Sequence, residues 1–170
     1  IATLPNSLTK LHLVTNETPF MIVDRSDYSD EPENQYDGSS CILHDLPSTL
    51  TDLFLSPFEC RNRNPFKPLP SSLLKLTLDF ADPLSCSSQS MTSIPRNLTC
   101  LKITKLIILP VCIYLLPRSL NEIYFRGTVG WRDSHVLELQ THIQPKSKIW
   151  IFWTQPHVCI TFKRIQYPPR

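Results

Sequence analysis

Leu69-Pro70-Ser71-Ser72-Leu73-Leu74-Lys75-Leu76-Thr77-Leu78 is one of five copies of a single phrase in this chain. The others are Leu4–Leu13, Leu46–Leu55, Ile94–Ile103 and Leu116–Phe125. The last four copies begin at residues 46, 69, 94 and 116, intervals of 23, 25 and 22. A near-constant period in the twenties means small units that cannot bury their own apolar faces. Such units stack on one another and share a continuous core. Repetition therefore bounds the architecture more tightly than any single residue does.

Each phrase reads in two parts. A proline starts a turn, and the Ser or Asn after it is able to hydrogen-bond backbone locally. Then LxL alternates with period two, which predicts a short strand with one buried face. Parallel pairing between equivalent strands needs a long crossover, and the residues between phrases supply it with no obvious helix. On this reading Leu11, Leu13, Leu53, Leu55, Leu76, Leu78, Leu101, Ile103, Ile123 and Phe125 share one phase and one core.

The phrase resembles two repeat families within the leucine-rich-repeat class. One is the FNIP repeat, with units of roughly IPxSVxxLxFGxxFNQPL; Leu76-Thr77-Leu78-Asp79-Phe80-Ala81-Asp82-Pro83-Leu84 is similar to its second half. The other is the short LPX-type repeat of secreted bacterial effectors. Leu8, Leu11, Leu13 and Asn16 fit the general pattern LxxLxLxxN, and the later copies place Phe58, Ala81, Leu106 and Thr128 where that asparagine would be. The resemblance covers about residues 1–130. It implies a mainly β fold: a leucine-rich-repeat-like right-handed solenoid with a parallel sheet and little helix.

The whole chain, 1–170, reads as one solenoid domain. Residues 1–13 form a first repeat and 14–45 a degenerate repeat or acidic insertion; 46–130 are regular repeats and 131–170 a contracted repeat and cap. Phe20-Met21-Ile22-Val23 suits a degenerate strand, and Arg25 to Ser40 is a polar excursion expected to protrude. Lys148 to Trp153 continues a sixth copy. Val158 to Phe162 suits a strand covering the open sheet edge, and His135 to His142 is the stretch compatible with a short helix.

Composition agrees. With 41% hydrophobic residues among 170, a real core is expected. Sixteen prolines against three glycines favour extended segments over helix. Charge is divided: residues 17–45 hold eight acids and one base, while 46–170 hold fifteen Lys or Arg and seven acids. The basic part suits an acidic protein, or RNA. The longest apolar run, Leu106 to Leu116, is broken by Pro110 and falls short of the roughly 20 residues of a membrane span; it reads as buried repeat backbone. Six scattered cysteines without a CxxC pair favour a reduced, cytoplasmic chain, with secretion as the alternative.

No enzyme is expected. Five histidines lie at unrelated repeat phases. Cys41 and His44 have ligand-like spacing, but a tetrahedral zinc site takes two such clusters. Gly127-Thr128-Val129-Gly130 is too short for a phosphate loop. No cofactor, metal or small-molecule substrate is expected, and no membrane.

The expected function lies in a surface. Outward positions of stacked strands form ladders about 4.8 Å apart. One ladder reads Lys10, Asp52, Lys75, Cys100, Glu122, Lys148; the next reads His12, Phe54, Thr77, Lys102, Tyr124, Trp150; the third reads Val14, Ser56, Asp79, Thr104, Arg126, Phe152. Aromatics beside cations on a solvent face are typical interface anchors. Phe54, Lys75, Lys102, Tyr124, Arg126 and Trp150 are the candidate residues of a concave binding face. The expected function is non-catalytic protein binding as scaffold, adaptor or subunit, to an acidic or mixed partner. RNA binding through the basic surface of residues 46–170, with Arg61, Arg63, Lys67, Arg96 and Arg118 on its flank, is the alternative.

Overall fold

Every copy of the phrase closes the same turn. The N–H of its central leucine donates to the carbonyl of its proline, in Leu8 to Pro5, Leu50 to Pro47, Leu73 to Pro70, Leu98 to Pro95 and Leu120 to Pro117, at 3.0–3.3 Å. Proline thus holds the first of the four positions of a β-turn, just before its two corner residues, where its missing N–H costs nothing and its carbonyl is the acceptor. The computed structural model describes residues 4–16, 19–23, 41–44, 46–59, 66, 69–86, 88–108, 110–128, 133–143, 148–155 and 158–165.

Turns are tied to their neighbours by a second regular feature. The carbonyl two residues before each strand's inward leucine accepts two N–H groups from the next copy. Thr9 O takes those of Thr51 and Asp52, Thr51 O those of Leu74 and Lys75, Leu74 O those of Thr99 and Cys100, and Thr99 O those of Asn121 and Glu122. Asn121 O continues the relay to Lys148. The hydroxyl of the turn reaches across as well. Thr49 Oγ1 shares its proton between the carbonyls of Asn6 and Leu8, Ser72 Oγ donates to Leu50 O, and Ser119 Oγ is shared between Arg96 O and Leu98 O. A local bond was expected for the Ser or Asn after the proline; the hydroxyls of Thr49, Ser72 and Ser119 instead join consecutive copies.

The strands are β1 (Lys10–Val14), β2 (Phe20–Val23), β3 (Cys41–His44), β4 (Asp52–Glu59), β5 (Lys75–Cys86), β6 (Cys100–Ile108), β7 (Glu122–Thr128), β8 (Lys148–Gln155) and β9 (Val158–Ile165). They form one sheet in the order β3-β2-β4-β5-β6-β7-β8-β9, with β1 also beside β4. Pairing is parallel from β1 to β8 and antiparallel between β8 and β9. β9 therefore covers the edge of β8, where a capping strand was expected. Helix is sparse: α1 (Ser88–Thr92), a 3-10 segment (Pro110–Leu115) and α2 (Asp133–His142). α2 was legible as His135 to His142; α1 and the 3-10 segment were not.

Phe20–Val23 is a strand, and it prolongs β1 instead of making its own turn. β1 pairs with Asp52–Ser56 and β2 with Phe58 and Glu59 of the same neighbour, β4. β3 adds to the outer side of β2. The acidic excursion Arg25 to Ser40 lies outside the described residues. Strands also run beyond the LxL core. β5 and β6 resume pairing at Leu84↔Leu106 after a bulge, at which Lys105 takes φ 58° and its ammonium donates to Ala81 O at 3.0 Å. Within the run Leu106 to Leu116, read from sequence as buried, the described residues end β6 and form the 3-10 segment; Cys112 and Leu116 are buried, but Tyr114 is exposed.

The ten phase-matched side chains face one core. Nine are buried, and Leu13, on strand β1, is partly buried against them. The core also takes Leu50, Leu73, Leu98 and Leu120 from the turns, Phe58 from β4, Phe80 from β5, and Phe66, Met91, Cys112 and Leu139 from the segments between strands. Phe58 and Phe80 meet edge to face at 5.2 Å. The pattern position that would carry an asparagine is thus filled in β4 by a buried ring. Leu76→Ala, in the middle strand of this stack, should cost about 2–5 kcal/mol in denaturant titration. Ser72→Ala should cost about 1 kcal/mol, the value of a hydrogen bond whose acceptor is left partly buried.

Candidate functional site

Leucines take the inward positions of the strands, so alternation leaves the intervening side chains on the opposite, solvent face. The register is the one that matters for a site. Lys10, Asp52, Lys75, Cys100, Glu122 and Lys148 lie opposite one another across β1 and β4 to β8. His12, Phe54, Thr77, Lys102, Tyr124 and Trp150 form the adjoining row. Asp79, Thr104, Arg126 and Phe152 form the third.

All six candidate residues sit on this face. Lys75 and Arg126 are exposed, while Phe54, Lys102, Tyr124 and Trp150 are half-buried. The aromatics were expected to be open to solvent, and the row itself shields them. The His12 ring, for example, lies 5.9 Å from that of Phe54. Fixed, half-buried rings lose little freedom on binding, which suits anchors better than mobile exposed ones.

Two side-chain contacts run diagonally from one row to the next. His12 Nε2 lies 3.1 Å from Asp52 Oδ1, and Lys102 Nζ lies 3.0 Å from Glu122 Oε1. Lys102 reaches Glu122 from the adjacent row. Its hydrogen bond to Glu122 holds the Lys102 ammonium above the usual lysine range. Burial pushes the Glu122 carboxyl up, but the bond and charge of Lys102, helped by Cys100 and Lys148, bring it below the ordinary value. Both partners are substantially exposed, so the pair orients Lys102 more than it stabilises the fold.

Asp79 joins three strands. It accepts from Ser56 Oγ at 3.0 Å and from Thr104 Oγ1. Its carboxylate is therefore held within the sheet, and the third row is a hydroxyl–carboxylate–hydroxyl clamp up to Arg126. Asp79 was visible in the ladder as a residue, but its role depends on the distances.

Cys100 lies between Lys75 and Glu122 in the first row, and its surroundings favour the protonated thiol. Burial first, and the Glu122 charge second, push its thiol up to about 11; its Sγ–H points at Glu122 Oε2, 3.5 Å away. A thiol is reactive as the thiolate, which this environment suppresses. Among the described residues no three His, Cys, Asp or Glu groups converge as metal ligands.

Sequence reasoning missed Tyr114 and His142, which with Arg96 and Arg118 line a cavity of about 410 Å³ at the turns. Repeat phase does not mark the first two, because the 3-10 segment and α2 carry them. Arg61, Arg63 and Lys67 of the basic flank lie outside the described residues. No protein-family model, curated protein or solved structure matches the chain.

The Cys100 environment has a measurable consequence. Its folded-state pKa lies above the ordinary thiol value of 9.0, so the folded state holds the proton more tightly than the unfolded state. That contribution is complete below pH 9 and is lost as pH rises towards 11. Urea midpoints should therefore fall more steeply over this window for the wild type than for Cys100→Ala.

Proposed function

We propose that this chain is a leucine-rich-repeat-like right-handed solenoid, of the FNIP or LPX kind, that binds a protein partner without catalysis. The binding face is the solvent side of the sheet, which is the concave side in such a solenoid. The observation that carries the reading is the row of Phe54, Tyr124 and Trp150 in register with Lys102, with Lys75 and Arg126 flanking it on exposed positions. Aromatic and arginine side chains dominate interface energetics because they bury large areas at low entropic cost. Lys75, Lys102 and Arg126 favour a partner of acidic or mixed surface. The roles that suit it are scaffold, adaptor or complex subunit.

A reducing, intracellular setting fits Cys100, whose sulfur is in no disulfide. No helix among the described residues is long and apolar enough to cross a membrane.

The test is the double substitution Tyr124→Ala with Trp150→Ala, measured by affinity capture from source-cell lysate with and without nuclease. Loss of anchors worth about 2 kcal/mol or more predicts at least a thirtyfold weaker capture with an unchanged melting temperature. Capture that survives the substitution contradicts the reading. Capture that disappears with nuclease and falls steeply with salt assigns the surface to RNA.

A further inference from the structure

The cavity of about 410 Å³ at the turns is lined by Arg96, Tyr114, Arg118, Ser119 and His142, among others. It lies apart from the rows of the solvent face. Arg96 and Arg118 each directly follow the proline of two consecutive turns. The same place in the other three turns holds Asn6, Ser48 and Ser71, all exposed and uncharged. Consecutive copies are one strand spacing apart, about 4.8 Å. Two guanidinium-bearing residues thus adjoin at one cavity, with no carboxylate in its lining among the described residues. Neither forms an ion pair among the described residues.

The surroundings hold this arrangement rigid. Ser119 Oγ, shared between Arg96 O at 2.8 Å and Leu98 O at 2.6 Å, ties one turn to the other. His142 Nε2–H donates to Leu116 O at 3.1 Å, which anchors the end of α2 to the second turn. The Tyr114 ring packs edge-on to His142, centroids 5.8 Å apart at 88°. Its hydroxyl donates to Glu138 Oε2 at 3.3 Å. Tyr114 is therefore pinned at two points, yet stays 59% exposed. A fixed ring stands beside two neighbouring positive charges.

We propose that this cavity binds a phosphomonoester, its phosphate between Arg96 and Arg118 and its organic part against the Tyr114 ring. A guanidinium matches two phosphate oxygens at once. Two of them match the three oxygens and roughly two negative charges of a phosphomonoester at neutral pH, whereas a carboxylate saturates one. The volume falls within the range of small-molecule sites, about 300–1,000 Å³. No reaction of the ligand is implied. The site is independent of the protein-binding reading, since it uses none of the same side chains.

Isothermal titration of the full chain with phenyl phosphate and with adenosine 5′-monophosphate tests this. At least one should bind saturably, and phenol should not. Arg96→Gln and Arg118→Gln should each weaken binding at least tenfold, with melting temperatures matching the wild type because both side chains are exposed. Tyr114→Leu, which keeps bulk and removes the ring, should weaken phenyl phosphate but not inorganic phosphate. Lys75→Gln and Arg126→Gln, on the solvent face, should change nothing. A tighter adenosine complex identifies a nucleotide as the ligand, and a tighter phenyl complex a phosphorylated aromatic group. Absence of saturable binding by both probes overturns the proposal, as does wild-type affinity in the double variant Arg96→Gln with Arg118→Gln. Unchanged phenyl phosphate binding in Tyr114→Leu overturns the ring's part in it.

Discussion

One carbonyl per copy sets the register of the repeat strands, β1 and β4 to β8. The carbonyls of Thr9, Thr51, Leu74 and Thr99 each take two N–H groups from the following copy just before the strand begins. Parallel strands lack a tight hairpin to fix their alignment. Here the relay does that work, and the hydroxyls of Thr49, Ser72 and Ser119 reinforce it. A slip of one residue would exchange the faces, moving Ile123 and Phe125 into solvent and Glu122 and Tyr124 into the core. Buried leucines penalise that slip strongly, but they act after the turn has presented the strand. Turn and core therefore specify the same answer at two levels, which is what a well-defined native state requires.

Much of this was legible because the repeat is short and its proline marks the phase. Once Leu76 and Leu78 are inward, Lys75, Thr77 and Asp79 must be outward, and the same holds for every copy. The ladders, the core and the capping β9 followed from that alternation alone. Three things did not follow. The hydroxyl bonds cross between copies, which a single phrase cannot reveal. The bulge that separates Asp79 from Leu84 while β6 advances from Thr104 to Leu106 breaks the count on which phase arguments rest. The 3-10 segment and α2 carry no repeat phase, so Tyr114 and His142 were invisible until the fold brought them to the turns of Arg96 and Arg118.

Two surfaces emerge with opposite electrostatic character. On the sheet face, positive charges sit among balancing groups: Lys102 leans on Glu122, and Asp79 is held by hydroxyls on both sides. Such a face discriminates by shape and by its aromatic row, with charge adjusting approach and orientation. At the turns, Arg96 and Arg118 adjoin without a carboxylate among the described residues of the cavity lining. Neighbouring like charges held on one frame favour an anion. The proposed protein-binding face and phosphate site differ in chemistry as well as place, so each can be disabled without the other.

The account rests on the register that puts Tyr124 outward and Phe125 inward. Hydroxyl-radical footprinting of the free protein, read by mass spectrometry and corrected for intrinsic reactivity, tests it directly at adjacent residues. Tyr124 is half-buried and Phe125 buried, so Tyr124 should be labelled readily and Phe125, Leu76 and Leu101 protected. Labelling of Phe125 at or above the rate of Tyr124 would contradict the register, and with it the assignment of the solvent face.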